Sequence, residues 1–359
     1  MKHWLKYTTS FVLFFWAFMA FTHTNFWCWS ALLYAWVLIP LVELTLKPDI
    51  TNLSEQEEQV AKNNRMYDII LYIAVVLHYL LLVQFLRSMQ MPNLPVQVII
   101  ARIATMGLLC GTFGINVAHE LGHRSNRYEQ LLAKAALLTS LYTHFFIEHN
   151  RGHHKWVATP HDPSTAPLHT SVYRFWLRSV TGTYINAWRI VNKQMKKQEL
   201  PIIHYKNEML QLQLMQVLWL AFLYVTVGGI VTLYYIAAAI IGFLLLETVN
   251  YIEHYGLLRK LQTNGQFERT MPWHSWNSNH VIGRLMLFEL SRHSDHHYLA
   301  SRKYQILRHQ QQSPQMPTGY PGMMLLSLIP PIWFYLVHKK MQALGLMPAK
   351  QLSTLNSKL

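Results

Sequence analysis

The chain has 359 residues, 52% of them hydrophobic and only 13% charged, about half the charged share of an ordinary soluble domain. Its long apolar runs exclude a pair of soluble domains and point to one polytopic membrane protein. The formal charge is +14; Lys and Arg collect in the cytoplasmic loops of membrane proteins, so no nucleic-acid partner is needed to explain it. Cys28 and Cys110 are the only cysteines, and both lie in apolar runs, which excludes a disulfide framework, a zinc ribbon and a Cys-ligated iron–sulfur cluster.

A membrane-crossing helix needs about 20 apolar residues. Residues 4–21 and 26–46 form the first hairpin. The Lys2–Lys6 start resembles a signal peptide, but the apolar run fits half of a tight hairpin better and is expected to stay. A polar, uncompacted loop is expected over 47–66. Residues 67–86 and 96–118 form a second hairpin around the turn "MPNLP". Polarity then rises from 119 to about 208. The apolar run 131–147 is short, contains Lys134 and reads as buried or interfacial. Residues 212–228 and 229–249 form a third pair, broken at Gly228-Gly229. Residues 320–337, interrupted by Pro330-Pro331, suit a re-entrant or surface-lying helix. The expected fold is therefore an all-α integral membrane protein of about six spans, one domain over 1–359, with helical catalytic segments at 119–211 and 253–340. Of the 31 Lys and Arg, 12 fall in 119–213 and 12 after 253. That asymmetry places both segments, and with six spans both termini, in the cytoplasm.

The 20 histidines are not evenly spread. "HELGH" sets His119 and His123 at i and i+4, on one helix face. "IEHNRGHHKW" brings His149, His153 and His154 together, and "RHSDHH" brings His293, His296 and His297. His254 stands alone in "NYIEHYG" at the cytoplasmic end of the last span. Nine ligands exceed the four of a structural zinc site and suit two metal ions with four or five imidazoles each. Neighbours on a helix diverge by about 100°, so each adjacent pair can send one imidazole to each metal, or set one on each side of a shared face. Imidazole suits Zn, Cu, Fe and Ni. Neutral ligands leave the metal charge uncancelled, so carboxylates are expected behind them; Glu120, Glu148, Glu253 and Asp295 each flank a cluster histidine. His144, His274 and His280 lie near the clusters as supporting or packing groups. His3, His23, His78 and His338 read as ordinary packing.

Together these segments resemble the membrane-bound histidine-box di-iron oxygenases, and more closely the AlkB-type alkane monooxygenases. The resemblance is carried by "NVAHELGHR" (116–124), "LYTHFFIEHNRGHHKWVATPHDPSTA" (141–166), "NYIEHYGLLR" (250–259), "HSWNSNH" (274–280), "RHSDHH" (292–297) and "MPTGYPGM" (316–323), in that order, over roughly residues 60–340. It implies an enzyme of the bacterial inner membrane with two non-haem irons held by the nine histidines on the cytoplasmic side. It also implies terminal hydroxylation of a medium or long n-alkane with O₂, with electrons from NADH through a reductase and rubredoxin. No G-x-G-x-x-G fingerprint and no CxxCG pair occurs, so no flavin, NAD or haem is expected on this chain, and an external donor is needed. A fatty-acyl or methyl-arene substrate is the near alternative. A zinc protease built on HELGH, or a metal transporter, are the distant ones.

Overall fold

The computed structural model describes residues 3–347. Among them six helices are long and apolar enough to cross a membrane: His3–Thr22, Phe26–Thr45, Met66–Met89, Val96–Gly122, Glu208–Val227 and Gly229–His254. Each expected span is present; the third, fourth and sixth run further than the apolar runs suggested, and the fifth starts four residues earlier, at Glu208. The fourth and sixth carry histidines at their ends, His119 and His254, so these ligand candidates ride on the rods that cross the bilayer.

The spans pair as antiparallel hairpins. Asn25 opens the second helix by accepting a hydrogen bond from the Trp27 N–H. The fifth and sixth are separated by Gly228 alone, at φ +82°, a left-handed conformation that costs glycine little. The fourth and sixth spans pack closely, with Gly107 against Ile241 and Cys110 against Gly242, which fixes His119 and His254 at neighbouring heights. On the opposite side, buried Arg102 donates to the carbonyls of Ala20, Ser88 and His23, so a cation within a span has backbone partners.

Six crossings put residues 46–65, 123–207 and 255–347 on one side of the membrane, and they fold together there. The 47–66 connection is not a free loop. Ser54 accepts from the Glu57 N–H while Glu57 accepts from the Ser54 N–H, a capping box that starts the helix Glu55–Asn63. That helix is tied down by an ion pair between Glu58 and Arg308, and Asp49 holds Arg284 at 2.8 Å. The spacing S-E-Q-E carries this signal, but the segment's polarity masks it. The run 131–147 is split between the helix Arg127–Leu138, which buries Ala133, Ala136 and Leu137, and a buried turn leading to Phe145. Residues 320–337 form two helices, Tyr320–Ser327 and Pro330–Ala343, broken before Pro330.

Candidate metal centre

Box by box, local structure aims the imidazoles inward. The fourth span changes to a π-helical turn over Cys110–Ile115 just before HELGH, a bulge often found at functional sites. A second π-helical turn, His149–His153, carries the second box. Gly152 is needed inside it: a Cβ there would stand 2.5 Å from Glu148 Oε1 and 2.7 Å from Asn186 Nδ2. The third box lies on the short helix His293–Tyr298, and His254 ends the sixth span.

All nine histidines converge, and they divide into two groups: His119, His123, His149, His154 and His296 in one, and His153, His254, His293 and His297 in the other. The adjacent pairs His153–His154 and His296–His297 each split between the groups, the first of the two arrangements that the 100° divergence allows. In the first group the Nε2 atoms form a closed ring. His119 meets His296 at 3.0 Å and His123 at 3.3 Å; His149 meets His123 at 3.1 Å and His154 at 3.0 Å; His154 meets His296 at 3.1 Å. A neutral imidazole nitrogen is either a donor or an acceptor, and five such atoms cannot alternate around a ring. As a hydrogen-bond cycle the arrangement is frustrated. As five lone pairs facing one cation it is satisfied. A metal–imidazole bond of roughly 2.1 Å also puts donors at right angles roughly 3 Å apart, the spacing found here.

In the second group His153 Nε2 lies 3.1 Å from His297 Nε2, His297 2.9 Å from His293, and His293 3.0 Å from His254. Carboxylates enter only here. His153 Nδ1 donates to Asp162 at 3.0 Å, which fixes the tautomer and leaves the Nε2 lone pair pointing into the group. Glu253 Oε2 stands 3.2 Å from His293 Nε2, and its Oε1 accepts from Tyr320 at 2.7 Å.

Electrostatics prepare both groups. Burial holds His149, His154, His293, His296 and His297 well below the usual imidazole range, with neighbouring imidazoles adding to the effect, and brings His123 down to about 3. They are neutral and ligand-ready at neutral pH. For His153 burial opposes protonation, but the Asp162 carboxylate outweighs it and raises the value. Glu148, driven by burial and by Asp162, rises to about 8.

The other candidates have different surroundings. Glu120 pairs with Arg124 at 2.5 Å and accepts from the Tyr304 N–H. Both oxygens of Asp295 accept from Arg302 Nη1, and the carboxylate also accepts from the Arg308 N–H and from Gln310. Both turn away from the imidazoles and brace the boxes against other segments. Glu148 accepts from Asn186 at 2.9 Å. His144 packs between Tyr142 and Tyr184, His274 meets Glu268 at 3.2 Å, and His280 meets Ser278 at 2.9 Å. The carboxylate that does hold a cluster histidine, Asp162, lies nine residues beyond it. Its signal was the turn "HDPST", in which Asp162 also accepts from the Ser164 N–H and the Thr165 hydroxyl.

An apolar cavity runs from this centre between the spans. Leu13, Trp36, Ile39, Leu108, Leu246 and Met324 line it, together with Thr112, Asn116, Asn250, Glu253, His119, His149 and His293. Its walls are mostly apolar, and histidines of both groups reach it.

Comparison with known proteins matches these features. The model of the fatty acid desaturase family matches residues 92–327. Alkane 1-monooxygenase 2 of Pseudomonas aeruginosa is 35% identical over 95% of this chain and 91% of its own length. Alkane 1-monooxygenase 1 of Alcanivorax borkumensis is 36% identical over 87% of this chain and 77% of its own. The xylene/toluene monooxygenase hydroxylase component of Pseudomonas putida is 29% identical over 66% of this chain and 63% of its own. The chain is a membrane oxidoreductase of the fatty acid desaturase family and belongs with its alkane 1-monooxygenases.

Proposed function

We propose that this protein hydroxylates the terminal methyl of medium or long n-alkanes with O₂, using two non-haem irons held by His119, His123, His149, His154 and His296 and by His153, His254, His293 and His297. The observation that carries this reading is the pair of converging nitrogen groups, members of which line an apolar cavity between the spans. Iron supplies the oxidant that an unactivated C–H bond requires and no side chain can provide. The chain's own groups do the rest. The cavity walls hold the alkane by shape, since it offers no polar handle, and exclude water from the reacting end. Asp162 fixes the His153 tautomer, and Glu253 offers the four-histidine group a fifth donor and one negative charge.

Electrons come from rubredoxin, reduced by an NADH-dependent reductase. The support is charge: His123 and His154 are the partly exposed members of the centre, and exposed Arg151 and Lys155 flank them, a surface that steers an acidic protein. The site and both termini face the cytoplasm from the bacterial inner membrane, in keeping with the basic segments that cluster on the histidine side. A methyl-arene substrate is the second reading, favoured by the likeness to the xylene/toluene component.

Metal analysis and turnover together test the proposal. About two irons per chain, and 1-octanol or 1-hexadecanol formed with reduced rubredoxin, are the expected results. One equivalent of zinc, or conversion of xylene alone, would overturn the metal or the substrate respectively. Raised salt is expected to slow donor-dependent turnover.

A further inference from the structure

The strongest feature outside the metal centre lies where the chain returns to the membrane. The helix Val172–Lys197 buries one stripe, Phe175, Ser179, Thr183, Ala187, Val191 and Met195, so its opposite face is free. It ends in a turn, residues 198–207, that leads directly into the fifth span at Glu208. Within this polar turn Ile203 is 86% exposed, more than any other large apolar side chain among the described residues; Tyr205 is 75% and Ile202 53% exposed. They do not lie on a spanning helix, so lipid facing the spans does not account for them.

Beside them Lys193, Lys196, Lys197 and Lys206 are exposed, and among the described residues none reaches a carboxylate within ion-pair distance. Lys193 and Lys196 line an open groove of about 550 Å³ with Asn192, Leu200 and Ile202, and Glu199 is the single carboxylate in it. Lys206 Nζ stands 5.9 Å from the Tyr205 ring centre. The bland alternative, a solvated basic face, explains the lysines but leaves the isoleucines bare in water. A membrane surface explains both, because apolar side chains enter the acyl boundary while lysines reach the phosphates.

We propose that this turn and groove bind an anionic phospholipid in the leaflet on the histidine side. The Lys193 and Lys196 ammonium groups hold the headgroup phosphodiester, and Ile202 and Ile203 lie against the acyl chains. The bound lipid fixes the base of the fifth span, which Glu208 already ties to the second histidine box through Arg151 and to the helix Arg127–Leu138 through Lys134.

The test uses the full chain, loaded with metal in a non-ionic detergent and incubated with phosphatidylglycerol or phosphatidylcholine, with bound lipid read by native mass spectrometry. Phosphatidylglycerol should be retained in preference. K193Q/K196Q/K197Q should weaken it about a hundredfold, at about fivefold per lysine, and K339Q/K340Q should leave it unchanged. I202S/I203S should weaken retention of both lipids. Equal phosphatidylglycerol binding by the triple-lysine variant overturns the proposal. So does displacement of the lipid by glycerol 1-phosphate at matched concentration, which would make the groove a small-anion site with no use for the isoleucines.

Discussion

The two nitrogen groups differ in charge more than in shape. The five-histidine group is a closed ring of imidazoles with no carboxylate in contact, and two of its members reach partly to solvent. The four-histidine group is fully buried and carries two carboxylates, Asp162 on His153 and Glu253 beside His293. A cation in the first is balanced by nothing nearby, whereas one in the second is partly neutralised. The first therefore suits the more electrophilic metal at the partly exposed edge, and the second suits the more firmly held one in the interior. The groups are not independent, because His153–His154 and His296–His297 tie them together through single peptide bonds.

The largest expected effect breaks the comparison at its shared point. His296→Ala opens the five-nitrogen ring, and His297→Ala removes one of four donors. Each is expected to abolish octane hydroxylation, but iron content should separate them. His296→Ala should lose about one iron and keep the buried one. His297→Ala, leaving three imidazoles on the buried side, should release that iron and loosen its neighbour. Equal loss in both variants would show that the two groups fill as one unit. Next come the carboxylates. Glu253→Gln and Asp162→Asn keep size and shape but remove the charge found only on one side. Each should cost roughly 10–100-fold in iron affinity or turnover, the usual effect of disturbing groups around a metal ligand. The remaining iron should be the one in the five-histidine group, visible as a change in the ratio of two Mössbauer components.

Much of this was legible in the sequence, for a physical reason. The spans are long apolar runs, and a bilayer leaves little freedom in how such runs fold. The nine histidines are legible because box spacing puts them on inward helix faces. What the sequence hid were contacts that depend on direction. Glu120 and Asp295 flank cluster histidines in the chain, yet a helix turns neighbours apart, and both bind arginines instead. Asp162, nine residues from His153, reaches it because a turn folds back. The Glu55–Asn63 helix was hidden because its sequence is polar enough to pass for a loop; it buries only Ala61 and is held by Gln305 and Arg308, far along the chain.

Acid should discriminate less strongly than these substitutions but across the whole centre. His123, His149, His154, His293, His296 and His297 have folded-state values depressed below the unfolded one near 6.5. The unfolded chain therefore binds more protons between that value and the folded ones. Stability from neutral imidazoles is fully present above about pH 6.5 and is lost as pH falls toward about 3, where His123 titrates, each imidazole contributing up to about 1.4 kcal/mol per pH unit. Metal-free protein should melt at a lower temperature at pH 5 than at pH 7.5. His153, raised by Asp162, acts in the opposite sense: its contribution is present below the unfolded value and fades as pH rises through the folded one. Asp162→Asn should therefore steepen the acid loss of stability.

The smallest effect is the control that must treat both groups alike. Ser54 starts the helix whose Glu58 holds Arg308, and the Arg308 N–H donates to Asp295, which sits between His293 and His296 on one short helix. Ser54→Ala removes one cap and should cost about 1 kcal/mol, a drop of a few degrees in melting temperature. Because the short helix that carries Asp295 also carries imidazoles of both groups, the two irons should weaken by the same small factor and the Mössbauer ratio should stay fixed. A shift of that ratio toward either component would mean that the third box does not move as one body, and that His296 and His297 are positioned separately.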